Sequence, residues 1–284
     1  MARSGLSQGL AVKALTLTLL LGGGPGLGTT IGYEVRFDAA WSRDTHPLDF
    51  PSTAHFSPLV GGTHTAGVTC WENGGIASAG IEVMAETGST GPLRGEVVAA
   101  IASGDAFSSI SGGGIGRSPG SASAAFQMQA SHPLVTLVSM IAPSPDWFVG
   151  VSGLALYENQ VWRDEVAVPL VAYDSGTDRG ATYRAGDADI TPHVPISQLQ
   201  DYAFADGTPL GTFTFSLIPP PPGDLNHDGS ANNLDISSFI QALSSNGLAT
   251  ALPEPATLGL LTLGLWTGLR RGNSKRTSSI CSIN

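Results

Sequence analysis

The sequence predicts a mainly β protein: an antiparallel β-sandwich with short helical insertions, followed by a C-terminal loop and helix and an apolar tail helix. Three observations carry this. Charged residues make up 13% of the 284 residues while glycine numbers 37, which suits short strands and many turns better than long helices. Tyr33, Val35, Phe37, Ala39 and Trp41 alternate with Glu34, Arg36 and Asp38, the period of a half-buried strand. Further apolar segments, rich in β-branched residues, recur between Ala124 and Ile218, and pairing antiparallel strands face to face buries both apolar sides.

Taken in order, the chain opens on a targeting segment, residues 1–30. Arg3 and Lys13 precede the apolar run Ala14 to Leu21 and a Gly-rich stretch, the order of a secretory signal, and the run is too short to span a membrane. The first strand follows from Tyr33 to Trp41, then a polar turn with Pro47 and Pro51. Ala77 to Glu86 and Glu96 to Ser103 read as short helices, ended by Gly88 and Gly104. Residues 105–123, rich in glycine and serine, read as a loop. Five strands follow, at Ala124–Gln129, Leu134–Ala142, Trp147–Tyr157, Val161–Tyr173 and Thr212–Ile218.

The stretch Ile141 to Gly180 organises the rest. Its middle supplies strands and its ends supply carboxylates, Asp146 in Ser-Pro-Asp-Trp and the pair Asp174 and Asp178 in Asp-Ser-Gly-Thr-Asp. If the strands between run out and back, the carboxylates meet at one sheet edge with no lysine nearby. Like charges so placed raise one another's pKa unless a cation sits between them, and calcium takes six to eight oxygen ligands. Asp beside Gly, Ser and Pro is also ordinary turn chemistry, so both readings stand at this point.

Charge narrows the function. Between Tyr33 and Leu252 there are 22 acidic residues against seven arginines and no lysine, a balance of about −15. Such a body argues against nucleic acid, whose binding is dominated by cationic contacts to phosphate. His46, His55 and His64 lie near Asp44 and Asp49 and would suit a metal-dependent hydrolase, but no His-x-His or His-x-x-x-His pair is present. There is no Gly-x-Ser-x-Gly elbow, phosphate loop or dinucleotide fingerprint, so no catalytic residues are assigned. Of two cysteines, Cys70 and Cys281, the second is at the extreme tail, which leaves the body to be held by its core and by ions.

Six motifs in order give the body, residues 31–218, a family resemblance. They are Phe37-Asp-Ala-Ala-Trp-Ser with Thr45-His-Pro; Phe56-Ser-Pro-Leu-Val-Gly-Gly-Thr-His64; Trp71-Glu-Asn-Gly-Gly-Ile-Ala-Ser-Ala-Gly-Ile81; Ala85-Glu-Thr-Gly88; Ala142-Pro-Ser-Pro-Asp-Trp-Phe-Val-Gly150; and Asp174-Ser-Gly-Thr-Asp-Arg-Gly180. The body resembles the spondin domain of F-spondin and mindin type matrix proteins. That resemblance implies a β-sandwich akin to calcium-dependent lipid-binding modules, a calcium ion (Ca2+) held by Asp146, Asp174 and Asp178, and a role in adhesion and matrix contact. The disulfide-forming cysteines of the animal domains are missing here.

Pro219 to Pro222 form a stiff spacer, residues 219–222. Residues 223–247 then read as a calcium loop and helix. Oxygen side chains fall at loop positions 1 (Asp224), 3 (Asn226), 5 (Asp228), 9 (Asn232) and 12 (Asp235), Ser230 offers its carbonyl at 7, and Gly229 makes the sharp turn at 6. This resembles one half of a dockerin, whose loops end in Asp rather than Glu; only one repeat is present. Residues 252–272, with Leu252-Pro-Glu-Pro255, the apolar run Ala256–Leu269 and the pair Arg270–Arg271, resemble a PEP-CTERM sorting segment of bacterial exported proteins. The run would span roughly 21 Å as a helix, a marginal membrane span. Basic residues after it, Arg270 and Arg271 and those of the tail 273–284, would hold that end in the cytoplasm.

The reading that results is a non-catalytic, exported, calcium-binding protein of the bacterial cell surface or extracellular matrix, transiently membrane-anchored. Its expected partners are matrix or exopolysaccharide components and a processing enzyme acting at Pro-Glu-Pro. The alternatives are an accessory module of a polysaccharide-handling system and a hydrolase using the loop histidines.

Overall fold

The computed structural model describes residues 30–225, 231–233, 235–237 and 239–240; the expected export signal up to residue 29, and the expected sorting segment and basic tail, lie outside them. The chain divides into two compact units, one ending at Ile218 and one beginning at Pro219. The first contains, in order, β1 (Thr30–Ala39), β2 (His55–Phe56), β3 (Val60–His64), α1 (Ala79–Thr87), α2 (Gly91–Ser103), β4 (Ala106–Ser111), β5 (Gly120–Gln129), β6 (Leu134–Ala142), β7 (Trp147–Ala155), β8 (Tyr157–Glu158), β9 (Val161–Trp162), β10 (Glu165–Leu170), β11 (Tyr173–Asp174), β12 (Ser197–Gln198) and β13 (Gly211–Leu217). No helix among the described residues is long and apolar enough to cross a membrane.

The mainly β, antiparallel architecture is as expected. One sheet has the order β10-β13-β1-β5 and the other β12-β11-β7-β6-β3-β4, with β2 added beside β6. On β1 every second residue from Ile31 to Ala39 is buried, so the alternation in the sequence does mark the inner face. Tyr33, Val35, Phe37, Phe126, Phe213 and Phe215 from the first sheet meet Val135, Leu137, Val149 and Val151 from the second in one core. Phe37 makes edge-to-face contacts with Phe56 at 4.8 Å and with Phe213 at 5.0 Å.

The helices are more than insertions. Ile81, Met84 and Ala85 of α1 and Leu93 of α2 cover the outer face of the second sheet, packing on Val60, Val138, Met140 and Phe148. That third layer buries β6 from Val135 to Ala142 on both faces, which accounts for its unbroken apolar run. Glu96 of α2 ties the two helices: Gly80 N–H donates to its Oε1 and Ser78 Oγ to its Oε2, each at 2.7 Å, while Ser78 caps α1.

Two expectations about elements are corrected, and one strand was not anticipated. Residues 105–123 are not all loop: Ala106–Ser111 form β4 against β3, and β5 starts at Gly120. β3 itself carries no strand signal, because its Gly61-Gly62 pair replaces branched residues; a Cβ on Gly61 would lie 2.0 Å from the Thr136 carbonyl of β6. The long strand Val161–Tyr173 is three pieces. β9 forms a small hairpin with β8, β10 joins the first sheet, and β11 joins the second, so the chain changes sheet between Leu170 and Tyr173.

Candidate functional site

The two carboxylate loops do meet at one edge. β7 and β11 pair antiparallel with Asp174 opposite Trp147, which sets Asp146 beside the Asp174–Asp178 loop. The strand between them runs by way of the other sheet rather than straight out and back.

Asp146 is completely buried and is the post around which the later loop folds. Its Oδ2 accepts from Ser175 Oγ (2.9 Å), Thr177 N–H (2.9 Å), Asp178 N–H (3.1 Å) and Thr177 Oγ1 (3.3 Å). Its Oδ1 is buried without a hydrogen-bond partner. A carboxylate oxygen left bare inside a protein is costly, so this atom calls for a ligand. Gly176 makes the tight loop possible: its φ is +76°, and a Cβ there would fall 2.2 Å from the Val194 carbonyl.

Asp174 is half-buried, and its Oδ1 accepts from Gly176 N–H at 2.8 Å. Its carboxyl is pushed up to about 6, first by burial and then by the negative charge of Asp146. Asp178 is 5% exposed and differs from the other two: Gly180 N–H (2.6 Å) and Ala188 N–H (2.5 Å) each donate to one of its oxygens. Each of those oxygens keeps a lone pair. Asp174 and Asp178 are therefore turn residues, and that role does not exclude the reading of them as cation ligands.

Sequence reasoning missed the helix side of this edge. Burial raises the Glu86 carboxyl, opposed by the Thr177 hydroxyl and reinforced by the charges of Glu82, Asp146 and Asp178. Glu82 and Glu86 stand one turn apart on α1, a spacing that puts them on one helix face and that the sequence does display. Glu82 also lies 3.8 Å from His193 Nε2, and with Asp189 these three bring ligand atoms within 4.8 Å of one another. Asp146, Asp174 and Asp178 do not close to that spacing as a trio; Asp146 and Asp174 interact while Asp178 turns to backbone amides.

Oxygen donors only, partly buried, with no ion pair to any of the three aspartates among the described residues, are the donor set of a hard cation. In donor type these residues fit calcium, which Asp146 Oδ1 and Asp174 would be the first to hold.

The histidines do not gather. His46 is buried between Thr45 Oγ1 (2.9 Å) and the Thr208 carbonyl (3.1 Å), and His64 between the Thr65 carbonyl and Thr136 Oγ1 (each 2.8 Å); burial lowers the pKa of both. His55 bonds the Thr53 carbonyl at 2.7 Å. Cys70 is a free thiol pushed up to about 11, by burial first and then by Glu96.

In the second unit Asp224 and Asp235 are buried, and Asp235 accepts from Leu225 N–H and Asn232 N–H at 2.7 Å each. Asn226, Asp228 and Ser230 lie outside the described residues.

Comparison with known proteins bears on the first unit. The family model for the spondin N-terminal domain, Spondin_N, matches residues 31–208. The chain belongs to this family. Human Spondin-2 is 32% identical over 206 residues, covering 67% of this chain, and mouse Spondin-1 is 33% identical over 182 residues, covering 60%. Chicken Spondin-1 is likewise 33% identical over 182 residues. The chain spans 61% of Spondin-2 and 22% of mouse Spondin-1, so it shares their spondin domain rather than their full length. All of these matches are spondins, and no catalytic family is among them.

Proposed function

We propose that this spondin domain is a non-catalytic, extracellular adhesion module whose edge loops bind calcium. The observation that carries the reading is the fully buried Asp146, with one oxygen engaged four times and the other without a hydrogen-bond partner, beside an Asp174 carboxyl raised by burial and then by the charge of Asp146. Bound there, calcium would neutralise the paired charges and hold the β7 and β11 loops together; Asp146 and Asp174 would ligate it, and Asp178 would stiffen the loop or add a ligand. Adhesion is drawn from kinship with the spondins.

Residues 223–247 supply a second calcium loop of dockerin type, a reading supported by the two inward-facing aspartates at positions 1 and 12. A signal in residues 1–30 and a sorting segment in 252–272 would export the chain, anchor it for a time and offer Pro-Glu-Pro to a processing enzyme. Calorimetric titration of the whole chain tests both sites. Wild type is expected to bind two calcium ions, the Asp146→Asn and Asp174→Asn double variant one; undiminished binding by the double variant would remove the body site.

A further inference from the structure

Arg43, Asp49, Phe50, Tyr183, Arg184 and Tyr202 line an open pocket of about 530 Å3. That volume lies within the roughly 300–1,000 Å3 of small-molecule sites. Four features set it apart on this acidic surface.

Two of the seven arginines between Tyr33 and Leu252 are here, and neither forms an ion pair among the described residues. Arg43 lies 5.9 Å over the Phe50 ring, which leaves its guanidinium edge available. The floor is aromatic: Tyr183 packs on Trp41 (5.5 Å), Trp147 (5.4 Å) and Tyr202 (5.5 Å). The Tyr183 hydroxyl is buried without a hydrogen-bond partner. Finally, Asp49 and Tyr202 have φ of 50° and 48°, two of the four non-glycine residues in the left-handed region among the described residues, and Tyr202 Oη donates to Asp49 Oδ2 at 3.0 Å. Strained backbone of this kind persists where surrounding structure holds it, and it clusters at ligand sites.

The chemistry selects a ligand. Guanidinium groups bind carboxylates in paired hydrogen bonds. Aromatic rings cover the apolar face of a sugar, and Asp49 offers acceptors to hydroxyl groups. We propose that this pocket binds an acidic polysaccharide, with uronate carboxylates on Arg43 and Arg184 and a sugar ring against Phe50 and Tyr202. The proposal rests on the adhesion reading for its extracellular, polymeric setting; none of the aspartates of the calcium reading lines the pocket.

Titrating the full chain with hexagalacturonate, a neutral hexaglucan and free galacturonate tests it. Hexagalacturonate is expected to bind, more weakly as salt rises, and free galacturonate and the neutral glycan at least tenfold more weakly. Arg43→Gln and Arg184→Gln, both at exposed positions, are each expected to lower hexagalacturonate affinity about tenfold with an unchanged melting temperature. Asp174→Asn is expected to leave that affinity unchanged, so failure of the calcium reading and failure of this one are separable. No binding of hexagalacturonate, equal binding of the neutral glycan or of free galacturonate, or full binding by the double arginine variant would each overturn it.

Discussion

Replacing Asp174 with Asn should stabilise the metal-free protein and destabilise the calcium-loaded one. The Asp174 carboxyl stands at about 6 against an ordinary 3.8, through burial and then the charge of Asp146. A shift of about two pKa units corresponds to about 3 kcal/mol, and solvent screening of this half-buried group reduces that to about 1–2 kcal/mol. The sign follows from proton binding. The folded state holds this proton more tightly than the unfolded chain, so the stability it lends is full below pH 3.8 and is lost as pH rises through 6. Asn keeps the side-chain oxygen that accepts from Gly176 N–H and removes the charge.

In chelator at pH 7.5, Asp174→Asn should therefore melt about 3–6 °C above wild type, since 1 kcal/mol moves a domain of this size by about 2–4 °C. The difference should shrink to nothing as pH falls toward 4. With calcium at about 100 times its Kd, wild type gains about 2.7 kcal/mol and the variant little, so the order reverses. Scanning calorimetry with chelator and with calcium, at pH 4, 6 and 7.5, reads all of this. A variant less stable than wild type in chelator at pH 7.5, or one stabilised by calcium as much as wild type, would refute the reasoning.

Gly176→Ala meets both a positive φ and the Val194 carbonyl, and should cost about 2 kcal/mol or more and weaken calcium binding by the first unit, measured by chemical denaturation and calorimetry. His64→Ala removes a buried ring and two hydrogen bonds; a loss of about 3 kcal/mol with calcium stoichiometry unchanged is expected from the same two assays. Because burial lowers the pKa of His46 and His64, the stability held by their neutral forms should fall as pH drops below 6.5, and a His64→Gln variant should lose part of that slope in denaturation curves. Asp235→Ala, which releases the Leu225 and Asn232 amides, should remove one calcium ion from the whole-chain titration and leave the melting of the first unit unchanged.

Local periodicity and turn chemistry determined much of this protein. The alternation from Tyr33 to Trp41, the apolar run from Leu134 to Ala142 and the glycines after each helix place strands, core and helix ends where the structure has them. Asp146, Asp174 and Asp178 were legible as one neighbourhood because each carries its own turn signal at a strand end. What the sequence could not carry was anything decided by a distant neighbour. Gly61 and Gly62 stand in a strand where β6 and α2 leave no room for a side chain, and Val161–Tyr173 breaks because its three pieces belong to different sheets. The hydrogen bonding of the carboxylates was decided in the same way: Ala188 N–H, ten residues on, donates to Asp178, whereas Asp146 Oδ1 is left without a hydrogen-bond partner. Glu86 from α1, and the pocket joining Arg43 to Arg184, come from segments about 60 and 140 residues from their partners. A pattern of period 2 or 3.6 records which face of an element is apolar, but only the packed fold says what that face meets.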